Sequence, residues 1–249
     1  MKPLAQTHAD ADDGLVEAII RFNFEPVSWC HPSWWPDTGL PVDAARQLVE
    51  DPLAAAKLSK KMLCAYGLAG QFDYDFKPPF KRVALLSWRQ QRRVTGLLGL
   101  AVYREQVAGV ISARQQRRLL DAFGPADYAL ALRLELRHKF VSGAFLPALP
   151  VGNLLRCRVL VYAAGLCLLT NMLQAEADAY KRRFYFTWPK PLALKRLAAR
   201  HGAAHRDVRR WADMEDYALY CGRQLNDPAL IDAGRKLLGT LLSLQGHWE

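Results

Sequence analysis

Apolar residues recur at helical spacing along most of the chain from residue 50 onward, and strand-like alternation is rare. Two segments open with aspartate followed by proline, at Asp51 and Asp227, which is the order that caps a helix and begins its first turn. Ser112 and Asn153 stand at two further candidate helix starts. The predicted helices are 15–21, 52–67, 85–110, 113–123, 126–141, 154–184, 192–200, 205–221 and 228–244. The pattern therefore predicts an all-α protein with little or no strand.

Two of these helices carry a competing signal. Leucine alternates with other residues at 130, 132, 134 and 136, as in a strand, but the segment 126–141 consists mainly of Ala, Leu, Arg and Glu and has no β-branched residue before Val141. Gly96, Gly99 and Gly109 interrupt the segment 85–110, where they either weaken the helix or mark close approaches between helices. Helix remains the prediction for both segments.

The most apolar part of the chain runs from Val159 to Leu173 and leaves no polar face over about three turns. It falls short of the roughly 20 apolar residues that a membrane span needs. We therefore expect a buried central helix, in which Cys157 and Cys167 behave as small apolar side chains.

The segments 22–41 and 70–81 interrupt the helical pattern with aromatic residues and prolines. Within the first, residues 22–36 are predicted to be an irregular strap that either lies across the helices and closes the core or forms an exposed docking motif. Residues 1–13 are expected to be a flexible leader and 14–249 a single globular helical domain, with a possible helical hairpin subdomain at 190–249. The strap residues singled out are Phe24, Pro26, Trp29, His31, Trp34, Trp35 and Pro36.

Composition adds that the chain can fold without disulfides or metals. It has 249 residues, of which 51% are hydrophobic, so it can bury roughly 70% of the surface that its unfolded form exposes. Its net charge is +10, which attracts nucleic acid, anionic lipid or an acidic protein partner without distinguishing among them.

Catalytic and metal-binding signals are weak. The five cysteines are widely spaced and include no C-x-x-C pair, and no metalloprotease, nucleophile-elbow, P-loop or dinucleotide motif is present. His201 and His205 are four residues apart, but Gly202 lies between them and no third ligand is suggested. No catalytic residue, cofactor or metal is therefore predicted, and we expect a protein without enzymatic activity. Residues 1–14 lack the features of a signal peptide, so we also expect the protein to be cytosolic.

One segment near the C-terminus favours DNA binding as an alternative. In 194–211, a small residue, a turn glycine and two apolar residues fall where a helix-turn-helix needs them, at Ala198, Gly202, Val208 and Trp211. The candidate recognition helix would carry Arg206, Arg209 and Arg210. Any tight helical hairpin makes the same demands on its sequence.

The strap contains the pattern Phe24-x-Pro26-x-x-Trp29-x-His31-x-x-x-x-Pro36. This pattern resembles the YscK/OrgA/MxiK (SctK) family, the accessory proteins of the type III secretion sorting platform. The stretch 97–132, which includes the Arg117-Arg118 pair, also resembles that family, so the likeness covers roughly a fifth of the chain.

The resemblance implies a non-enzymatic adaptor at the cytoplasmic face of the bacterial inner membrane. Its partners would be the cytoplasmic domain of the inner-membrane ring protein and the pod, or C-ring, protein that carries the export ATPase complex. Nucleic acid would be a partner only in the alternative interpretation.

Overall fold

The computed structural model describes residues 4–134, 146–190 and 225–244, and these contain helices and no strand. The all-α prediction is therefore confirmed. The α-helices are α1 (Leu4–Phe24), α2 (Pro26–Trp29), α3 (Val42–Val49), α4 (Pro52–Ala65), α5 (Trp88–Val102), α6 (Arg104–Ala108), α7 (Ala113–Phe123), α8 (Pro125–Arg133), α9 (Leu154–Met172), α10 (Asp178–Phe186) and α11 (Pro228–Ser243). Two 3₁₀ helices span Pro32–Thr38 and Pro79–Leu85.

The predicted capping residues begin three of these helices. The carboxylate of Asp51 accepts hydrogen bonds from the first backbone N–H groups of α4, Asp227 does the same for α11, and the Asn153 side chain accepts from Arg156 N at the start of α9. Local chemistry therefore predicts these starting points correctly.

Two predicted helices are divided in the structure. The segment 154–184 is α9 followed by α10, with Ala177 in extended conformation between them, and the segment 85–110 is α5 followed by α6, with a break at the buried Tyr103. Apolar spacing continues through both breaks, so periodicity alone missed them. In a third difference, α1 begins at Leu4, within the residues 1–13 that are predicted to be a flexible leader.

The described residues group into two compact units. Unit 1 holds 4–88 and 176–190, and unit 2 holds 89–134, 146–175 and 225–244. The single domain over 14–249 stays a prediction, and most of the proposed hairpin subdomain at 190–249 lies outside the described residues.

Unit 1 is built around aromatic side chains on and just after α10. Tyr180 contacts the rings of Phe22 and Phe76, with centroid distances of 5.7 and 6.0 Å, and Phe186 contacts Trp34 edge to face at 5.1 Å. Edge-to-face and tilted arrangements at these separations are the favourable ones for aromatic pairs. The segment around α10 thereby holds the N-terminal helices together.

Unit 2 is built around α9, which confirms the predicted buried helix. Cys157, Val161, Cys167 and Leu168 have no exposed surface, and burial raises the pKa of the Cys157 thiol, which leaves it unreactive. By length and composition alone, α9 could also cross a membrane, but half of its most apolar stretch is buried by the rest of the protein, as in a core helix of a globular protein.

Glycines let α5 approach α9 at backbone distance. A Cβ on Gly99 would lie 1.9 Å from the carbonyl oxygen of Val161, and one on Gly165 would lie 1.9 Å from that of Thr95. Of the two alternatives open from the sequence for Gly99, a weak point in the helix or a close approach between helices, the structure shows the close approach.

Candidate protein-binding site

The strap, residues 22–36, is more regular than predicted. It contains the end of α1, all of α2 and most of the first 3₁₀ helix. Pro26 and Pro32 each occupy the first position of a helix. A residue there makes no intrahelical N–H bond, so proline loses none, and its fixed φ suits the helix. The prolines therefore divide the strap into short helices, and the expectation of an irregular segment was wrong.

Three hydrogen bonds tie the strap to the segment that ends α10. His31 N donates to the carbonyl oxygen of Phe186 at 2.8 Å, and the Trp34 indole donates to that of Trp188 at 2.7 Å. The backbone N–H of Lys190 donates to Ser33 Oγ at 2.8 Å. Each bond satisfies a polar group that the surrounding aromatic core would otherwise leave unpaired.

The motif residues divide into buried and exposed groups. Trp34 is 1% exposed, Trp35 and Pro26 are also buried, and Trp29 is half-buried with its indole donating to the carbonyl oxygen of Arg21 at 2.8 Å. Phe24 and Pro36, by contrast, are exposed. The buried residues therefore help to close the core, while a docking motif at the exposed Phe24 and Pro36 stays a prediction.

A charged cluster supports the buried side of the strap. The carboxylate of Asp37 accepts hydrogen bonds from the Tyr66 hydroxyl and the Lys190 ammonium, and Lys190 Nζ lies 5.8 Å from the centroid of the Trp34 ring. Burial and the bond to Asp37 both raise the pKa of Tyr66. Burial also raises the pKa of the Cys30 thiol to about 12, so this cysteine stays protonated and inert.

His31 occupies the N-cap of the first 3₁₀ helix, and its Nδ1 accepts from Ser33 N at 3.2 Å. Burial lowers the pKa of His31 below its ordinary value of about 6.5. The unfolded chain then binds the proton more readily than the folded chain, so the stability that this histidine contributes is present above about pH 6.5 and is lost as the pH falls through the lowered pKa.

We expect His31→Asn to reduce this pH dependence. The introduced amide oxygen can accept the same N-cap bond, but it does not titrate. Urea unfolding of both proteins at pH 7.5 and at pH 5 should show a smaller loss of stability on acidification for the variant. An identical loss in both proteins would mean that His31 protonation does not affect folding.

Exposed apolar side chains form a continuous row beside the strap, which we call the apolar stripe. Val16, Ile20 and Phe24 follow one another at four-residue spacing on α1, and Phe72 and Tyr74 extend the row from the loop after α4. These side chains are between 41% and 58% exposed. The rings of Phe24 and Phe72 lie 4.6 Å apart and those of Phe72 and Tyr74 6.1 Å apart, so the stripe continues across two elements.

Asn23 fixes the loop that carries the two aromatic residues. Its side chain donates to the carbonyl oxygen of Asp73 at 2.7 Å and accepts from the backbone N–H of Asp73 at 2.9 Å. This reciprocal pair holds Asp73 against the end of α1, with Phe72 and Tyr74 on either side of it in the sequence. The stripe is therefore a fixed surface rather than a loose loop.

The Asp73 side chain also belongs to an ionic cluster with Lys81 and Glu176, which further fixes the position of this loop. Lys81 Nζ lies 2.9 Å from an Asp73 carboxylate oxygen and 3.4 Å from a Glu176 carboxylate oxygen, and it faces the Phe76 and Tyr180 rings. The Tyr180 hydroxyl donates to the Lys81 carbonyl at 2.7 Å, and burial raises the pKa of Tyr180.

No member of this ionic cluster is predicted from the sequence. The one local signal is the position of Lys81 directly after an aromatic and proline-rich segment. Packing of such a segment buries the neighbouring charge, which then needs a partner of opposite charge. In this environment the charges are already paired with each other, and the cluster serves to position the loop.

The remaining sequence predictions concern metals and DNA. Among the described residues, no three His, Cys, Asp or Glu side chains are grouped as a metal site would require. Arg206, Arg209 and Arg210 of the alternative DNA-binding prediction lie outside the described residues, as do His201 and His205.

Comparisons of the chain with protein-family models, with curated proteins and with solved structures found no match.

Proposed function

We propose that this protein is a non-enzymatic adaptor of a bacterial type III secretion sorting platform. In this role it joins the cytoplasmic domain of the inner-membrane ring protein to the pod, or C-ring, protein that carries the export ATPase complex. The observation that carries the proposal is the apolar stripe, an exposed row of aliphatic and aromatic side chains on a rigidly supported surface.

The position of the stripe supports the link to the family that the strap resembles. Phe24, the first residue of the strap motif, lies within the stripe, while Trp34 and Trp35 later in the motif are buried and hold the strap in place. One motif therefore combines a structural anchor with an exposed contact residue. An adaptor needs this combination, because a partner binds most tightly to apolar side chains that are already held in position.

Binding energy in such an interface is concentrated in a few aromatic side chains. We expect Phe24→Ser and Phe72→Ser each to weaken partner binding roughly 30-fold, which corresponds to a loss of about 2 kcal/mol. The purified full-length chain would be titrated with the pod protein and with the ring-protein cytoplasmic domain encoded in the same genome, by isothermal calorimetry.

Leu53→Ser provides a matched control. Leu53 is an exposed apolar residue of unit 1 on α4, outside the stripe, and its replacement should leave affinity unchanged. Circular dichroism and thermal melting would verify that all three variants remain folded. If neither partner binds the parent chain, the adaptor function is wrong; if both bind and the stripe variants bind equally well, another surface makes the contact.

A further inference from the structure

The positive charge of the chain is concentrated in unit 2. By count along the sequence, the described residues of unit 1 include 12 basic and 13 acidic side chains, whereas those of unit 2 include 12 basic and 5 acidic ones. All but one of the basic residues in unit 2 are arginines. The guanidinium group binds phosphate and carboxylate oxygens in pairs, which an ammonium group cannot do.

Five of these arginines lie along neighbouring helices. The Arg118 guanidinium on α7 donates to the carbonyl oxygen of Gly152, just before α9, at 3.2 Å, and Arg158 on α9 donates to that of Ala122 near the end of α7 at 2.7 Å. The beginning of α9 therefore lies against the second half of α7. We call the surface formed by their basic residues the arginine face: Arg114, Arg117, Arg118, Arg156 and Arg158.

The arginine face carries one acidic side chain, that of Asp121 on α7, against five arginines. None of its five arginines forms an ion pair with any part of the chain that the structure describes. Elsewhere in unit 2, by contrast, Arg93 pairs with Asp127 at 2.7 Å. The surface therefore presents a net positive charge to whatever contacts it.

The first turns of both helices strengthen this charge. Neither α7 nor α9 has an acidic residue there, and Arg114 and Arg156 occupy positions at which the helix dipole disfavours a cation. Such a placement reduces the stability of the free protein, and an external anion would reverse the penalty.

One large aliphatic side chain protrudes near the beginning of each of these two helices. Ile111, just before α7, is 93% exposed, and Leu155, in the first turn of α9, is 74% exposed. The loop that carries Ile111 is held by a hydrogen bond from Gln116 Nε2 to the carbonyl oxygen of Val110 at 2.8 Å. These are the large exposed apolar side chains of unit 2 within the described ranges, and the next residue in the sequence is polar or charged in both cases, Ser112 and Arg156.

We propose that the arginine face, with Ile111 and Leu155, docks onto the surface of an anionic phospholipid bilayer. The guanidinium groups would donate hydrogen bonds to lipid phosphate oxygens, and the two aliphatic side chains would insert among the headgroups and upper acyl chains. A protein partner would favour a contiguous apolar core, and single-stranded nucleic acid would favour exposed aromatic rings, neither of which this face provides. Binding of lipid by the arginine face would not depend on which proteins bind the apolar stripe.

The test measures binding of the full-length chain to vesicles by sedimentation. We expect binding to vesicles of phosphatidylcholine mixed with phosphatidylglycerol, at least tenfold weaker binding to pure phosphatidylcholine, and a decrease with added salt. The combined variant Arg114→Gln, Arg117→Gln, Arg156→Gln should bind the anionic vesicles roughly 100-fold more weakly. Arg118 and Arg158 are retained in this variant because they bond to backbone carbonyls.

A charge-matched control separates the face from the overall charge. Lys57→Gln, Lys60→Gln, Lys61→Gln removes the same number of exposed positive charges from α4 of unit 1, and it should leave vesicle binding within twofold. The combined variant Ile111→Ser, Leu155→Ser tests insertion, and it should weaken binding by roughly tenfold at every salt concentration.

Three outcomes would overturn the proposal. The first is absence of binding to the anionic vesicles. The second is an equal loss of binding in the arginine and lysine variants. The third is binding of polyglutamate or of a DNA duplex through the three arginines while vesicles stay unbound, which would assign the face to an acidic protein or to nucleic acid. Circular dichroism of every variant would establish that it is folded, and all substituted side chains are exposed.

Discussion

Replacement of Gly165 by alanine is expected to destabilise unit 2 by roughly 3 kcal/mol or more. The new Cβ would lie 1.9 Å from the carbonyl oxygen of Thr95 and 2.7 Å from the backbone nitrogen of Gly99. Both atoms belong to the backbone of α5, so a rotamer change cannot relieve the overlap and the two helices must separate. Separation would also expose neighbouring core residues such as Leu168 and Leu98, which are fully buried.

Urea and thermal unfolding of the variant would measure the effect. Gly152→Ala is the matched control in the same unit, because a Cβ at that position meets no atom within 4 Å, and its stability should stay within about 0.5 kcal/mol of the parent. If the Gly165 variant melts like the parent, α5 and α9 do not cross at backbone distance.

This helix crossing shows which part of the fold could be predicted from the sequence. The apolar periodicity and the capping residues predict α4, α7 and α11 correctly, because these features act within a few residues of each other. Gly99 attracted notice as a glycine within a helix, but its partner Gly165 did not. A glycine in an apolar helix gives no local sign that another backbone passes over it.

The division of 154–184 into α9 and α10 has a tertiary cause. Continuous apolar spacing favours one helix, yet α9 is assigned to unit 2 and α10 to unit 1, where Tyr180, Phe184 and Phe186 belong to the aromatic core. The packing of those rings with residues more than a hundred positions away outweighs the local helical preference. No pattern within the segment contains that information.

The candidate site could be predicted only in part, because it also depends on tertiary contacts between distant residues. Aromatic and proline content identified the strap, and Trp34 and Phe24 are respectively its anchor and its exposed edge. The other half of the stripe, Phe72 and Tyr74, comes from a loop whose position depends on Asn23 and on the ionic cluster. Lys81 and Tyr180, which bond within that cluster, are 99 residues apart, so no local pattern in the sequence predicts their contact.

The ionic cluster leads to the second large effect. Lys81→Ala is expected to destabilise the protein by roughly 3 to 5 kcal/mol, because it leaves Asp73 and Glu176 as neighbouring carboxylates without their cation. The Lys81 side chain is 5% exposed, so water cannot replace the lost ammonium group without opening the aromatic core around Tyr180. Urea unfolding monitored by circular dichroism would measure the loss. Lys236→Ala is the control, because its ion pair with Asp232 is exposed and its removal should change stability little.

A combined variant distinguishes unpaired charge from lost packing. Lys81→Met with Asp73→Asn and Glu176→Gln removes all three charges while keeping the side chains close to their original size, and the amide oxygen introduced by Asp73→Asn can still accept from Asp75 N. If unpaired carboxylates cause the instability of Lys81→Ala, this combination should recover most of it, as replacement of a complete buried ion pair commonly does. Equal instability in both variants would indicate instead that the lysine acts through its contacts with the Phe76 and Tyr180 rings. A loss below about 1 kcal/mol for Lys81→Ala would show that the cluster does not hold the loop beneath the stripe.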